Sequence, residues 1–113
     1  MHELSLAANV LQIVEAAAAR DPFLRVRTLH LSVPVLAGVE IEAFRFALQS
    51  LAPQTVLDGA DILIDEPASR GHCLDCDAAI DICGHEDPCP LCGGYRWQGA
   101  SDRGIRVVDL LVE

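Results

Sequence analysis

The chain has 113 residues, 51% hydrophobic but only 4% aromatic, and 17 acids against 8 bases give it a formal charge of −9. That length holds one domain, or one domain with a small appendage, around a core of Ala, Val, Leu and Ile. The charge disfavours a nucleic-acid partner, and the lack of any run of about 18 apolar residues argues against a membrane span.

Residues 4–20 predict a helix. Leu4, Ala7, Leu11, Val14 and Ala18 recur at steps of three and four, and Leu6, Val10, Ile13 and Ala17 widen the stripe. Asn9, Gln12 and Glu15 interrupt it, and no basic region precedes it, so it does not read as a signal peptide. Asp21-Pro22 ends the helix. Residues 24–35 predict a strand whose alternation changes phase near Arg27, a sign of a bulge, and which closes at Pro34. After Gly38 a second helix is expected over 39–52, with Ile41, Phe44, Leu48 and Leu51 facing inward. Residues 61–66 predict a short strand. Its successive Ile62, Leu63 and Ile64 suggest burial on both faces. Residues 104–112 return to strand pattern.

Between those last two strands the composition changes. Residues 71–99 hold all five cysteines and five of the eight glycines. They read as a metal-nucleated loop module rather than a second hydrophobic core. Cys73-Leu74-Asp75-Cys76 and Cys89-Pro90-Leu91-Cys92 are separated by twelve residues. Each pair can turn two sulfurs to one point, and two pairs make a closed four-thiolate tetrahedron suited to structural zinc. One divalent ion on four thiolates brings the net charge to about −11. Without a signal peptide or membrane span the protein is expected to be cytoplasmic, where thiols stay reduced and such pairs read as metal ligands rather than disulfides. Gly93-Gly94 lets amide N–H groups approach the sulfurs. Cys83 is left over and reads as a buried or bystander thiol, with a spare ligand as the alternative. His72 and His85 lie near the ligands as loop histidines or exchangeable donors, and His30 reads as a surface residue.

The expected architecture is α+β: a small three-stranded sheet with two helices over 1–70 and 100–113, and a zinc-ribbon-like four-cysteine module inserted at 71–99.

The chain starts Met1-His2-Glu3. The Met1 amine, the next amide nitrogen and the His2 imidazole can close consecutive five- and six-membered chelate rings. The Glu3 amide nitrogen or carboxylate can complete the set. Such nitrogen-rich coordination favours nickel(II) or copper(II) over zinc. On these residues alone, an untethered terminus is the competing reading.

Together, Met1-His2-Glu3-Leu4-Ser5, Gly38-Val39, Glu42-Ala43-Phe44-Arg45-Phe46-Ala47, Gly59-Ala60 with Leu63 and Glu66, the two cysteine pairs followed by Gly93, and the strand Val107 to Val112 resemble the HypA/HybF family of nickel metallochaperones. The resemblance covers essentially the whole chain. It implies that His2 is the principal nickel ligand, aided by Met1 and Glu3. It implies that Cys73, Cys76, Cys89 and Cys92 hold structural zinc. It also implies a non-catalytic role, delivering nickel to the hydrogenase large subunit precursor with the maturation GTPase HypB, as a monomer or weak homodimer. The chain departs from the family at Pro34-Val35-Leu36-Ala37-Gly38, where Gly-x-Leu-Ser-Gly is common, and at Ile41, where proline is common. The competing readings are a rubredoxin-like electron carrier and a zinc-ribbon interaction module.

Overall fold

The computed structural model describes residues 2–84, 86–99 and 104–113. The elements run α1 (His2–Arg20), β1 (Val26–Ser32), a 3-10 turn (Val35–Ala37), α2 (Ile41–Leu51), β2 (Asp61–Asp65), β3 (Ser69–Cys73), β4 (Ala79–Ile82), β5 (Trp97–Gly99) and β6 (Arg106–Val112). They form an α+β chain of two compact units. One comprises Met1–Leu31, Val39–Ile64 and Val107–Glu113; the other comprises Ser32–Gly38 and Asp65–Arg106.

The first unit carries the three-stranded sheet, in the order β2-β1-β6, and the two helices, which pack on each other. Central strand β1 buries Val26, Leu29 and Leu31. The two-residue gap between Val26 and Leu29 is the change of phase expected near Arg27. Helix α1 buries a narrower stripe than its sequence suggests. Ala7, Val10 and Val14 are inside, while Leu4 and Ile13 are exposed. Helix α2 buries Phe44, Ala47 and Leu48. Its start is fixed by Gly38, at φ 73°, and by Glu40, whose side chain accepts from the Glu42 N–H. The Arg45 guanidinium donates to the Ile62 carbonyl at 2.5 Å, tying α2 to β2.

Strand β2 corrects the expectation of burial on both faces, since Ile62 and Ile64 are half-buried and Leu63 between them is not. Leu63 of β2 is 53% exposed, and Val108, Leu111 and Val112 of β6 are exposed too. These are sheet edges, and an edge strand has a neighbour on one side only.

The second unit is more ordered than a loop module. It is a sheet in the order β4-β3-β5, and both pairings are antiparallel. Strand β3 turns Ser69, Gly71 and Cys73 inward, and β4 turns Ile80 and Ile82 inward. Gly71 sits opposite both Ile80 and Gly99. A Cβ there would lie 2.8 Å from the Gln98 carbonyl oxygen and 3.1 Å from Ile82 Cγ1. Glycine is therefore what lets the three strands close up.

This unit also begins earlier than the cysteines do. The segment after β1 is laced onto the chain around Pro67. Val33 N–H donates to Asp65 O (2.8 Å), Val35 N–H to Pro67 O (3.0 Å) and Leu36 N–H to Ser69 Oγ (3.1 Å). Ser69 is thereby satisfied although buried. Leu36 joins Cys73, Ile80, Ile82 and Cys89 in one buried cluster, with Val35, Ala78 and Trp97 packed against it. The turn itself closes through Ala37 N–H to Pro34 O (2.9 Å). Among the described residues, no helix is long and apolar enough to cross a membrane.

Candidate metal centres

The two cysteine pairs fold into matching knuckles. In the first, the Cys73 N–H donates to Ala78 O at 2.9 Å; in the second, the Cys89 N–H donates to Gly94 O at 2.6 Å. Both bonds run from the leading cysteine to the residue five further on. Both knuckles turn on a left-handed residue just after the second cysteine, Asp77 at φ 54° and Gly93 at φ 76°. Each also aims a backbone N–H at its leading sulfur: Cys76 N to Cys73 Sγ at 3.5 Å, and Leu91 N to Cys89 Sγ at 3.4 Å. Asp tolerates the left-handed region better than most side chains do.

The four sulfurs converge. Cys73 and Cys92 lie 3.6 Å apart, Cys76 and Cys89 lie 3.8 Å apart, and all four fall within 4.8 Å of one another. A zinc–sulfur bond near 2.3 Å implies tetrahedron edges of about 3.8 Å. The donor set and spacing therefore fit a single tetrahedral ion. Cys73 and Cys89 are buried; Cys76 and Cys92 are exposed.

Neighbouring thiols, burial and backbone N–H groups together govern ionisation. Sharing a proton with Cys73, then burial, then Cys89 and Cys92 push the Cys76 thiol up to about 12. Burial also opposes ionisation of Cys89. The N–H groups of Cys92 and Leu91, with the Cys73 and Cys92 thiols, outweigh it and bring Cys89 down to about 7. For Cys92 the Gly94 N–H favours the thiolate, but Cys73, burial and Cys89 raise it on balance. Metal binding has to displace the protons that remain.

Around the sulfurs lie contacts that the spacing of the cysteines did not reveal. Asp75 Oδ1 is 3.1 Å from Arg96 Nη1, and the Leu74 N–H donates to Arg96 O at 2.7 Å. Trp97 Nε1 donates to Asp87 O at 2.7 Å. His72 Nε2 lies 2.8 Å from Asp77 Oδ1, so its polar contact is to that carboxylate. His85 lies outside the described residues. Cys83 is exposed rather than buried, and it does not join the four-sulfur group. The one sequence cue to these partners was the charge pattern, with Asp75 and Asp77 flanking Cys76.

At the other candidate centre, His2 is the first residue of α1, with its side chain 63% exposed. Its Nδ1 lies 3.7 Å from Glu3 Oε2. That same carboxylate oxygen accepts from the Glu40 N–H at 3.3 Å, just before α2. The Glu40 N–H, then the N–H of Glu3 itself, hold the Glu3 carboxyl below its usual range; partial burial opposes them and His2 adds to them. Glu3 thus keeps its charge while fastening the first turn of α1. Met1 lies outside the described residues. His30, on β1, is 3.5 Å from Asp109 Oδ2.

A family model described as "Hydrogenase/urease nickel incorporation, metallochaperone, hypA" matches residues 1–112. The chain is 49% identical over 113 residues to the hydrogenase maturation factor HypA of Cupriavidus necator, covering 100% of this chain and 95% of that one. It is 44% identical over 112 residues to the protein of the same description from Polaromonas naphthalenivorans, covering 99% and 97%. In fold it is similar to the solution structure of the Ni metallochaperone HypA from Helicobacter pylori. The TM-score is 0.68 at 14% identity, over 97% of this chain and 96% of that one. With a family match along nearly its whole length and relatives this similar, the chain belongs to the HypA family of hydrogenase/urease nickel-incorporation metallochaperones.

Proposed function

We propose that this protein binds nickel(II) at its N-terminus through His2 and helps deliver it for maturation of [NiFe]-hydrogenase, while Cys73, Cys76, Cys89 and Cys92 hold a structural zinc ion. The observation that carries the reading is the family match over residues 1–112. Two features of the chain support it. His2 is exposed beside a charged carboxylate, so an ion can reach the imidazole from solvent. The four sulfurs are closed around one point and leave no open coordination position, which suits a structural rather than a transferred ion.

The role is non-catalytic. Nickel is cargo, held by few ligands at an accessible site, and moves by ligand exchange to a stronger site on a partner. The Met1 amine and either the Glu3 amide nitrogen or its carboxylate assist His2. Binding strengthens as pH rises, because the ligands must be deprotonated. The recipient is the hydrogenase large subunit precursor, with the maturation GTPase HypB as co-worker, in the cytoplasm. The protein acts as a monomer or weak homodimer.

The test is calorimetric titration of nickel into the untagged protein, His2→Ala and a chain extended at its N-terminus, with elemental analysis of each. One nickel per chain, lost in both variants, with one zinc retained, is the expected result. Native nickel affinity in both variants removes the His2 assignment. A red, redox-active iron centre in place of zinc supports the electron-carrier alternative instead.

A further inference from the structure

We infer that Asp75 is a positioning residue for the four-cysteine centre, a carboxylate clamp that holds the second knuckle against the first. This rests on the metal-binding reading of the four cysteines given above.

Asp75 stands between the two cysteines of the first knuckle, yet its carboxylate reaches the far side of the second. Oδ1 meets Arg96 Nη1 at 3.1 Å. Oδ2 occupies the space beside Gly94, where a Cβ would lie 2.6 Å from it and 3.4 Å from Cys92 Sγ. Gly94 in turn closes the second knuckle through its carbonyl bond to the Cys89 N–H. The carboxylate therefore bears on the residue that closes the second knuckle and lies beside one ligand sulfur. The backbone bond from Leu74 to Arg96 O, next to it in sequence, runs across the same gap.

The knuckles are otherwise alike, and that makes the asymmetry informative. The position equivalent to Asp75 in the second knuckle is Leu91, which is 68% exposed. It has no polar group to reach back with. The clamp is built on one side only. A carboxylate on the chain between two thiolate ligands is electrostatically unfavourable by itself, and the Arg96 guanidinium supplies compensating charge. Groups in the second coordination sphere orient ligands in this way, and their loss typically lowers metal affinity about 10–100-fold.

Cobalt(II), whose ligand-field bands report tetrahedral thiolate geometry, is the probe, with zinc affinity measured by chelator competition. Asp75→Ala is expected to weaken zinc binding about 10–100-fold and to shift the cobalt bands at saturation. Asp75→Asn, which keeps an acceptor for Arg96, is expected to recover part of both. Gly94→Ala is expected to impair binding less in the Asp75→Ala background, where the opposing carboxylate is gone, than in the native chain. Native affinity and an unshifted spectrum in Asp75→Ala, or equal Gly94→Ala defects in both backgrounds, overturn the clamp. If the native chain itself fails to give a four-thiolate cobalt spectrum, the four-cysteine reading falls first, and that result is distinct from the others.

Discussion

Asp77 takes φ 54° where its counterpart in the second knuckle is Gly93, and it also holds His72 at 2.8 Å. Asparagine, aspartate and glycine tolerate the left-handed region; most side chains pay roughly 1–2 kcal/mol there. Asp77→Ala is therefore expected to destabilise the second unit by about 1–2 kcal/mol. Asp77→Gly, which keeps the turn and loses only an exposed contact, should stay close to the native stability. Melting of the zinc-loaded variants checks this; equal losses would place the effect in the His72 contact and not in the backbone. In the first unit, Glu113 adds to the acid sensitivity that Glu3 already implies. Arg25 Nε donates to Glu113 Oε2 at 2.6 Å. That bond holds the Glu113 carboxyl below its usual range; burial opposes it, and the charges of Arg25 and Arg27 add to it. A depressed carboxylate contributes stability above its unfolded pKa and loses it as pH falls through the folded value. Both groups are exposed, so salt screens the effect. The stability difference between native and Glu113→Gln is expected to shrink on acidification and with added salt. A difference that stays constant in a pH series of denaturation midpoints would refute the assignment.

At the scale of elements, strand β3 shows how much was legible in advance. Helices α1 and α2 and strands β1, β2 and β6 follow apolar patterns that their sequences display, with ends shifted by a few residues. Strand β3 reads Ser-Arg-Gly-His-Cys, with no β-branched or large apolar residue, and nothing in it signals a strand. It is ordered by its neighbours: Gly71 admits β5 and β4, and Cys73 is anchored in the buried cluster. Strand β4 did carry a signal. Ala79-Ile80-Asp81-Ile82 alternates, but four residues between cysteines are easily taken for loop. Leu36 was invisible for another reason: its partners lie more than thirty residues away, and only the lacing of 33–37 onto 65–69 brings it to them. The cysteine tetrahedron was fully legible, because chelation demands short spacings that appear directly in the chain. Gly71→Ala tests the account of β3. The added methyl meets backbone at Gln98, which cannot move aside without opening β5, so a loss of about 1–3 kcal/mol is expected. Chemical denaturation of the zinc-loaded variant measures it, and native stability would show that the sheet has slack there.

At the scale of the whole molecule, the two units differ in what holds them. The first has an apolar interior of its own, with Val14, Val26, Leu29, Leu31, Phe44 and Leu48 all fully buried. Side chains of this kind contribute about 1.5–3 kcal/mol each on burial. In the second, two of the five buried cluster members among the described residues are metal-ligand candidates, Cys73 and Cys89. Removing the ion leaves Leu36, Ile80 and Ile82 as the buried members of that cluster that are not ligand candidates, a small core for a three-stranded sheet. A strong chelator is expected to abolish amide protection in 69–99 while leaving that of α1, β1 and α2 near native. Hydrogen exchange resolves the two. Loss of protection throughout would show that the first unit does not stand alone, and retention throughout would show that the metal is dispensable.

The matched knuckles have a consequence for how the ion leaves. Each one is closed by its own backbone bond, so each is a two-toothed claw that presents its sulfurs as a pair. What the metal joins is two claws on a tether of twelve residues. Once one claw lets go, the tether keeps it close, and recapture competes with escape. That tether is not slack, because strand β4 lies within it and is paired with β3. A break in the chain between the claws would remove that recapture and speed release.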